Sequence, residues 1–297
     1  MTPIRCVADI HDKVGEGPLW HAREQRLYWT DINGMRVHRM DPTEGRVETW
    51  HFHEPVSALA LTHTQDCLLV GGESRLVLWN VARDERTVFA EFSMEPPGNR
   101  LNDGAAGPDG NFWVGSMRNN VTADGEHVEL DWSKPENRTG SLYCVTPEGA
   151  ISFQGTGLAI PNTMEWSPDG RMLYTGDSID NTIFAYEHGI PSSRRVFTAG
   201  FGRGVPDGSA MDELGFLWNC RFFGGCIVRF TPSGEVDRVI EMPVTNITNC
   251  VFGGSDLQTL YVTTASVSAP ANEPQAGGVF AFEPGVRGLA PHVFGRR

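Results

Sequence analysis

Apolar residues along this chain lie in short runs parted by turns, and the runs recur as one unit. A polar residue opens a short strand, a turn follows, and an aliphatic–aromatic pair comes about a dozen residues after the opener. The unit reads Glu16-Gly17-Pro18-Leu19-Trp20 before Leu27-Tyr28-Trp29, and Asn162-Thr163-Met164-Glu165-Trp166 before Leu173-Tyr174. It recurs at Asn102-Asp103-Gly104 before Phe112-Trp113, Asp207-Gly208-Ser209 before Leu217-Trp218 and Asn249-Cys250-Val251 before Leu260-Tyr261. A weaker copy runs from Ser57 to Leu68-Leu69. Pro108-Asp109-Gly110 and Pro168-Asp169-Gly170 supply Asp-Gly hairpin turns inside the unit. A third apolar strand follows each pair, such as Thr182-Ile183-Phe184-Ala185-Tyr186, and then a fourth, such as Arg195-Val196-Phe197.

Six units of about 45 residues with four strands each predict an all-β fold, a six-bladed β-propeller of four-stranded antiparallel blades around a central channel. One domain is expected to span residues 1–297. The residues ahead of the first unit, about 3–9, read as a strand that pairs with the last blade and removes its open edge. One insertion interrupts the spacing. About two dozen mostly polar residues, among them Asn119, Asn120, Asp124, Glu126, Glu129, Asp131 and Trp132, lie between Gly115-Ser116-Met117 and Gly140-Ser141-Leu142. They form a surface loop or a lid.

In a propeller the openers fall at one level of the innermost strands and so form a ring about the axis. Here they are Glu16, Ser57, Asn102, Asn162, Asp207 and Asn249, nearly all oxygen donors of the kind hard divalent cations take. Two carboxylates facing across a channel repel unless a cation lies between them. Taken singly, each opener also reads as an ordinary turn residue. Register separates the readings: Asp109 and Asp169 lie in hairpin turns, whereas Asp207 holds the opener position. His51 and His53 offer a weaker ligand pair on one strand.

Composition narrows the function. A net charge of −13 without a basic stripe argues against nucleic-acid partners, and no stretch is apolar enough to span a bilayer. The start of the chain lacks the apolar run of a signal peptide. The six cysteines show no CxxC pairing and read as free thiols, so a cytoplasmic location is expected. The absence of a Gly-x-Ser-x-Gly elbow leaves a serine hydrolase without support.

Gly15-Glu16-Gly17-Pro18-Leu19-Trp20, Asn99-Arg100-Leu101-Asn102-Asp103-Gly104, Gly140-Ser141-Leu142-Tyr143, Asn162 before Trp166-Ser167-Pro168-Asp169-Gly170, and Pro206-Asp207-Gly208 before Leu217-Trp218 stand in fixed order. Together they resemble the senescence-marker-protein-30/gluconolactonase/regucalcin family over nearly the whole chain. The resemblance implies a propeller that binds one divalent cation (Ca, Mn, Zn, Mg or Fe) and hydrolyses a sugar lactone with a metal-activated water. It implies Glu16, Asn162 and Asp207 as metal ligands, and Arg100 and Asn102 as substrate contacts. Where some members carry a glutamate after the Gly-Ser-Met segment, this chain has Arg118-Asn119-Asn120, and Asn120 is the nearest match. Asp207 is also the expected general base. A small-molecule sugar lactone is the expected partner, and the sequence leaves the oligomeric state open. The rival readings are a non-catalytic cation-binding propeller, and an esterase or phosphotriesterase on the same scaffold.

Overall fold

The structure is a computed structural model that describes residues 1–93 and 96–295. Its first strand is β1 (Arg5–Ala8). Blade 1 follows as β2 (Gly15–His21), β3 (Arg26–Asp31), β4 (Arg36–Met40) and β5 (Val47–His51). Blade 2 is β6 (Ala58–Thr62), β7 (Cys67–Gly71), β8 (Arg75–Asn80) and β9 (Glu85–Glu91). Blade 3 is β10 (Asn99–Ala106), β11 (Phe112–Arg118), β12 (Gly140–Val145) and β13 (Ile151–Leu158). Blade 4 is β14 (Pro161–Trp166), β15 (Met172–Asp177), β16 (Thr182–Glu187) and β17 (Arg195–Ala199). Blade 5 is β18 (Val205–Met211), β19 (Leu217–Phe222), β20 (Cys226–Phe230) and β21 (Val236–Glu241). Blade 6 is β22 (Ile247–Gly253), β23 (Thr259–Thr264) and β24 (Val279–Phe282), completed from outside by β1.

Every blade is an antiparallel four-strand meander, and the inner strands β2, β6, β10, β14, β18 and β22 pack in a closed circuit. The expected closure is present: Arg5 pairs with Ala281 and Cys6 with Phe280. A second closure has no counterpart in the repeat pattern. The two-residue strand β25 (Val293–Phe294) lies parallel to β6 and makes blade 2 five-stranded.

The aliphatic–aromatic pairs fall on the second strand of each blade, where both faces are covered. Leu27, Tyr28, Trp29, Leu217 and Trp218 are fully buried. Their rings knit neighbouring blades: Trp20 stacks on Tyr261 at 5.6 Å, Trp113 meets Trp166 edge-on at 5.7 Å, and Trp218 meets Phe252 at 6.0 Å. Cys220 and Cys226 are buried free thiols within this packing. Among the described residues no helix is long and apolar enough to cross a membrane.

Candidate metal centre and active site

The inner strands are not regular where they meet the axis. The antiparallel register slips between Glu16 and Leu19, Leu101 and Gly104, Asn162 and Glu165, Pro206 and Ser209, and Ile247 and Asn249. These β-bulges coincide with five of the six openers, and a bulge turns a side chain away from the usual up–down alternation. In two of them the following residue takes a left-handed backbone, Gly17 at φ 51° and Thr163 at φ 61°. The sixth strand, β6, keeps its register, and its opener Ser57 stands just ahead of it. Crowding at the axis is severe: a Cβ on Gly208 would lie 1.9 Å from Asn249 Cγ, so only glycine fits beside Asp207.

The ring is tied by hydrogen bonds. Glu16 Oε2 accepts from the Asn249 amide at 2.9 Å and from the Gly17 backbone N–H at 2.7 Å. Asn102 Nδ2 donates to Asn162 Oδ1 at 2.9 Å and to the Pro161 carbonyl at 3.0 Å. Asn162 Nδ2 donates to Ser178 Oγ at 2.8 Å, which fixes the amide with its oxygen inward. The backbone carbonyl of Asp207 accepts from Thr163 Oγ1 at 2.6 Å and from Asn219 Nδ2 at 3.0 Å. Ser57 Oγ donates to the Asn102 carbonyl at 2.8 Å.

Negative charge is left uncompensated. Burial pushes the Glu16 carboxyl up to about 7, with Asp103 adding repulsion. Asp207 is raised well above the ordinary carboxylate range by burial first, then by Glu16 and Asp103; its carboxyl also hydrogen-bonds that of Glu16. Without a cation, such a pair holds a proton between its members. Two carboxylates and an inward carboxamide oxygen are a hard donor set, and a divalent cation among them would relieve the repulsion. Among the described residues no three His, Cys, Asp or Glu side chains cluster as ligands, so a cation held here would need the carboxamide as a donor. His51 and His53 line neither channel cavity.

Above the ring a cavity of about 300 Å³ opens to one face, lined by Glu16, Asn102, Asn162, Asp207, Arg100 and Asn120 at its polar end. Arg100 is 4% exposed. It donates through Nη1 to Asn102 Oδ1 at 2.8 Å and through Nη2 to Asn120 Oδ1 at 2.9 Å. Its Nε is buried without a hydrogen-bond partner in the protein. The six residues that the family resemblance assigned to the site thus border one cavity, whereas the openers Ser57 and Asn249 do not line it. Asn102 differs from the others in that its amide bridges Arg100 to Asn162.

The insertion crosses the mouth as a hairpin over residues 120–128, closed by the Val121–His127 bridge and by Val128 N–H donating to the Asn120 carbonyl at 2.8 Å. Lys13 of the opposite side donates to Glu126 at 2.7 Å and to the Gly125 carbonyl at 3.1 Å. His127, Glu129 and Trp132 line the cavity, as a lid requires.

Below the ring, all six inner strands enclose a second cavity of about 90 Å³, which holds Asp103 and Glu165 and is capped by residues 289–292. Thr163, Asn219 and Ser178, which brace the ring, and these two acids were missed in the sequence. The one signal for Thr163 and Asp103 is their place directly after an opener in the repeat.

The SMP-30/Gluconolactonase/LRE-like region model matches residues 14–266. A 6-deoxy-6-sulfogluconolactonase of Pseudomonas putida is 32% identical, covering 98% of both chains. A pentonolactonase of Haloferax volcanii is 33% identical over 89% of this chain and 86% of its own. The crystal structure of a calcium-binding protein, regucalcin, from Agrobacterium tumefaciens superposes with a TM-score of 0.88 at 27% identity, covering 99% of this chain and 98% of the other. The match from blade 1 to blade 6, with the oxygen-donor ring inside it, makes this chain a member of the SMP-30/gluconolactonase/LRE-like family.

Proposed function

We propose that this protein is a metal-dependent sugar lactone hydrolase. The observation that carries the reading is the convergence of Glu16, Asp207 and the Asn162 carboxamide at the floor of a cavity whose next donor is Arg100. The names of the Pseudomonas and Haloferax relatives support the substrate class, and the Agrobacterium neighbour supports a divalent cation.

Glu16, Asn162 and Asp207 would hold the cation. When bound, a divalent cation supplies Lewis acidity toward an ester carbonyl and lowers the pKa of water. Beside it Asp207 is ionised, and accepts the proton of the water that attacks the lactone carbonyl carbon. The ring C–O bond then breaks, and the departing ring oxygen takes the proton that Asp207 accepted, which restores the carboxylate. Arg100, at the cavity floor, binds substrate oxygens, and Asn102 and Asn120 hold its guanidinium in place. The hairpin limits access of bulk water from above.

The test is hydrolysis of a panel of γ- and δ-lactones of pentoses and hexoses by metal-reconstituted protein, with metal content measured in parallel. About one divalent ion per chain and turnover of at least one lactone are expected. Asp207→Asn keeps an oxygen donor but removes the base, so turnover at saturating metal should fall about a hundredfold or more. Near-parent activity in that variant would overturn the assignment of the base. A parent inactive on the whole panel, with its metal in place, would leave a non-catalytic propeller.

A further inference from the structure

The upper cavity has two chemically different halves. Its floor carries the ring and Arg100, whereas its walls and mouth carry Val14, Ile32, Ile179, Val267, Phe222 and Phe223, with Trp132 from the insertion. Phe223 is the anomaly among them. It sits in the β19–β20 turn at φ 60°, in the left-handed region, where a bulky side chain is disfavoured and glycine or asparagine is the usual occupant. Burial does not repay this, because Phe223 is 56% exposed. Leu257, at a similar φ of 58°, packs against the core and so has a folding reason for its place. Phe222 packs edge-on against Phe223 at 4.5 Å and steadies the outer ring at the mouth. Backbone strain that holds an exposed aromatic at the entrance of a polar site is the pattern expected of a ligand contact.

Charge at the mouth points the same way. The charged groups lining the cavity are Glu16, Asp207 and Glu129 against Arg100 on the floor, with His127 lying 3.6 Å from Glu129. Lys13, the neighbouring cation, is engaged by Glu126. A substrate whose carbonyl rests on the floor therefore directs its far end toward aromatic rings and a carboxylate, and among the described residues at the mouth none is a free cation to receive an anion.

We propose that Phe223 and Trp132 form an apolar clamp that selects uncharged lactones, favouring those that present C–H surface at the exocyclic end, such as deoxyhexonolactones, over lactones bearing sulfonate, phosphate or carboxylate. The clamp rests on the lactonase reading above and assigns its specificity. Aromatic faces receive the C–H side of a sugar ring, and a sulfonate or phosphate there would lose hydration without gaining a partner.

The experiment is steady-state kinetics of metal-saturated protein on a neutral pentonolactone, a neutral hexonolactone, a 6-deoxyhexonolactone, and the 6-phospho and 6-sulfo hexonolactones. The kcat/KM for neutral and deoxy lactones should exceed that for the anionic pair at least about tenfold. Phe223→Asn should raise KM for the neutral lactones about fivefold with little change in kcat. The same substitution should raise the Tm by about 2 °C, because asparagine accepts the left-handed backbone. Trp132→Ala should raise KM without the gain in Tm. A raised Tm with an unchanged KM would show that Phe223 does not touch substrate and would overturn the clamp, as would preferred turnover of an anionic lactone. Both outcomes leave the lactonase reading standing. Failure of the parent on every lactone sinks that reading and takes the clamp with it.

Discussion

Glu165 lies in the lower cavity, three residues past Asn162, and accepts a long hydrogen bond from the Trp166 N–H at 3.4 Å. Burial, and then the nearness of Asp103, push its carboxyl up to about 8. The unfolded chain releases that proton near pH 4.5, so between about 4.5 and 8 the folded state holds a proton that the unfolded state has lost. Stability therefore falls as pH rises through this window and levels off above it. Glu165→Gln removes this contribution, so it should gain stability over the parent at pH 9 relative to pH 5. The gain should be on the order of 1 kcal/mol, since the side chain keeps some contact with cavity water. Urea unfolding of both proteins at the two pH values, with metal saturating, measures it; parallel profiles would disprove it. In the sequence Glu165 reads as a strand residue among apolar neighbours, and Asp103 as one more Asn-Asp-Gly turn. Their burial beside each other depends on β10 and β14 meeting across the ring, which no local pattern records.

Hairpins within the blades are held by aspartates of unequal weight. Asp212, after β18, is fully buried, and its Oδ2 accepts from Trp218 Nε1 at 3.0 Å and from Arg229 Nε at 2.9 Å. Its Oδ1 accepts from the Leu214 and Phe216 N–H groups, each at 3.0 Å. Arg229, 4% exposed, stacks 3.7 Å over Phe216 and has Asp237 as a second partner at 2.8 Å. Asp212→Ala leaves the buried Arg229 guanidinium with Asp237 alone and strands the Trp218 indole N–H, and should cost about 3 kcal/mol by chemical denaturation. Asp169, exposed in its own turn, accepts from the Arg171 N–H at 3.1 Å, and its replacement by Ala should cost under about 1 kcal/mol. Equal losses would refute the distinction. The repeat made these strands legible, because opener, Asp-Gly turn and aliphatic–aromatic pair recur at one spacing. β25 escaped notice because two residues in parallel pairing carry no period. The hairpin at residues 120–128 escaped because its order comes from backbone bonds and from Lys13, more than a hundred residues away.

At the scale of the whole molecule the ring of donors was legible, since six equivalent positions can be compared, whereas Asn219, which braces Asp207, holds no position that the repeat singles out. Closure binds the molecule together: β1 lies against β24, and Asn249 of blade 6 bonds Glu16 of blade 1 at 2.9 Å. Removing residues 1–9 bares the edge of β24 and should lower the Tm by several degrees and promote association. Calorimetry and sedimentation would detect both, and an unchanged Tm would mean that blade 6 stands without β1. The same closure dictates an order of events at the ribosome. Arg5 is synthesised first and waits for Ala281, and Glu16 waits for Asn249, so neither finds its partner until blade 6 has left the exit tunnel. Early blades can form meanders as they emerge, but the ring proposed to hold an ion is the last thing to exist. On the proposed function, a chain that has not yet added blade 6 would carry Glu16 without Asn249 and would not capture a cation, so ion uptake would report on closure of the ring.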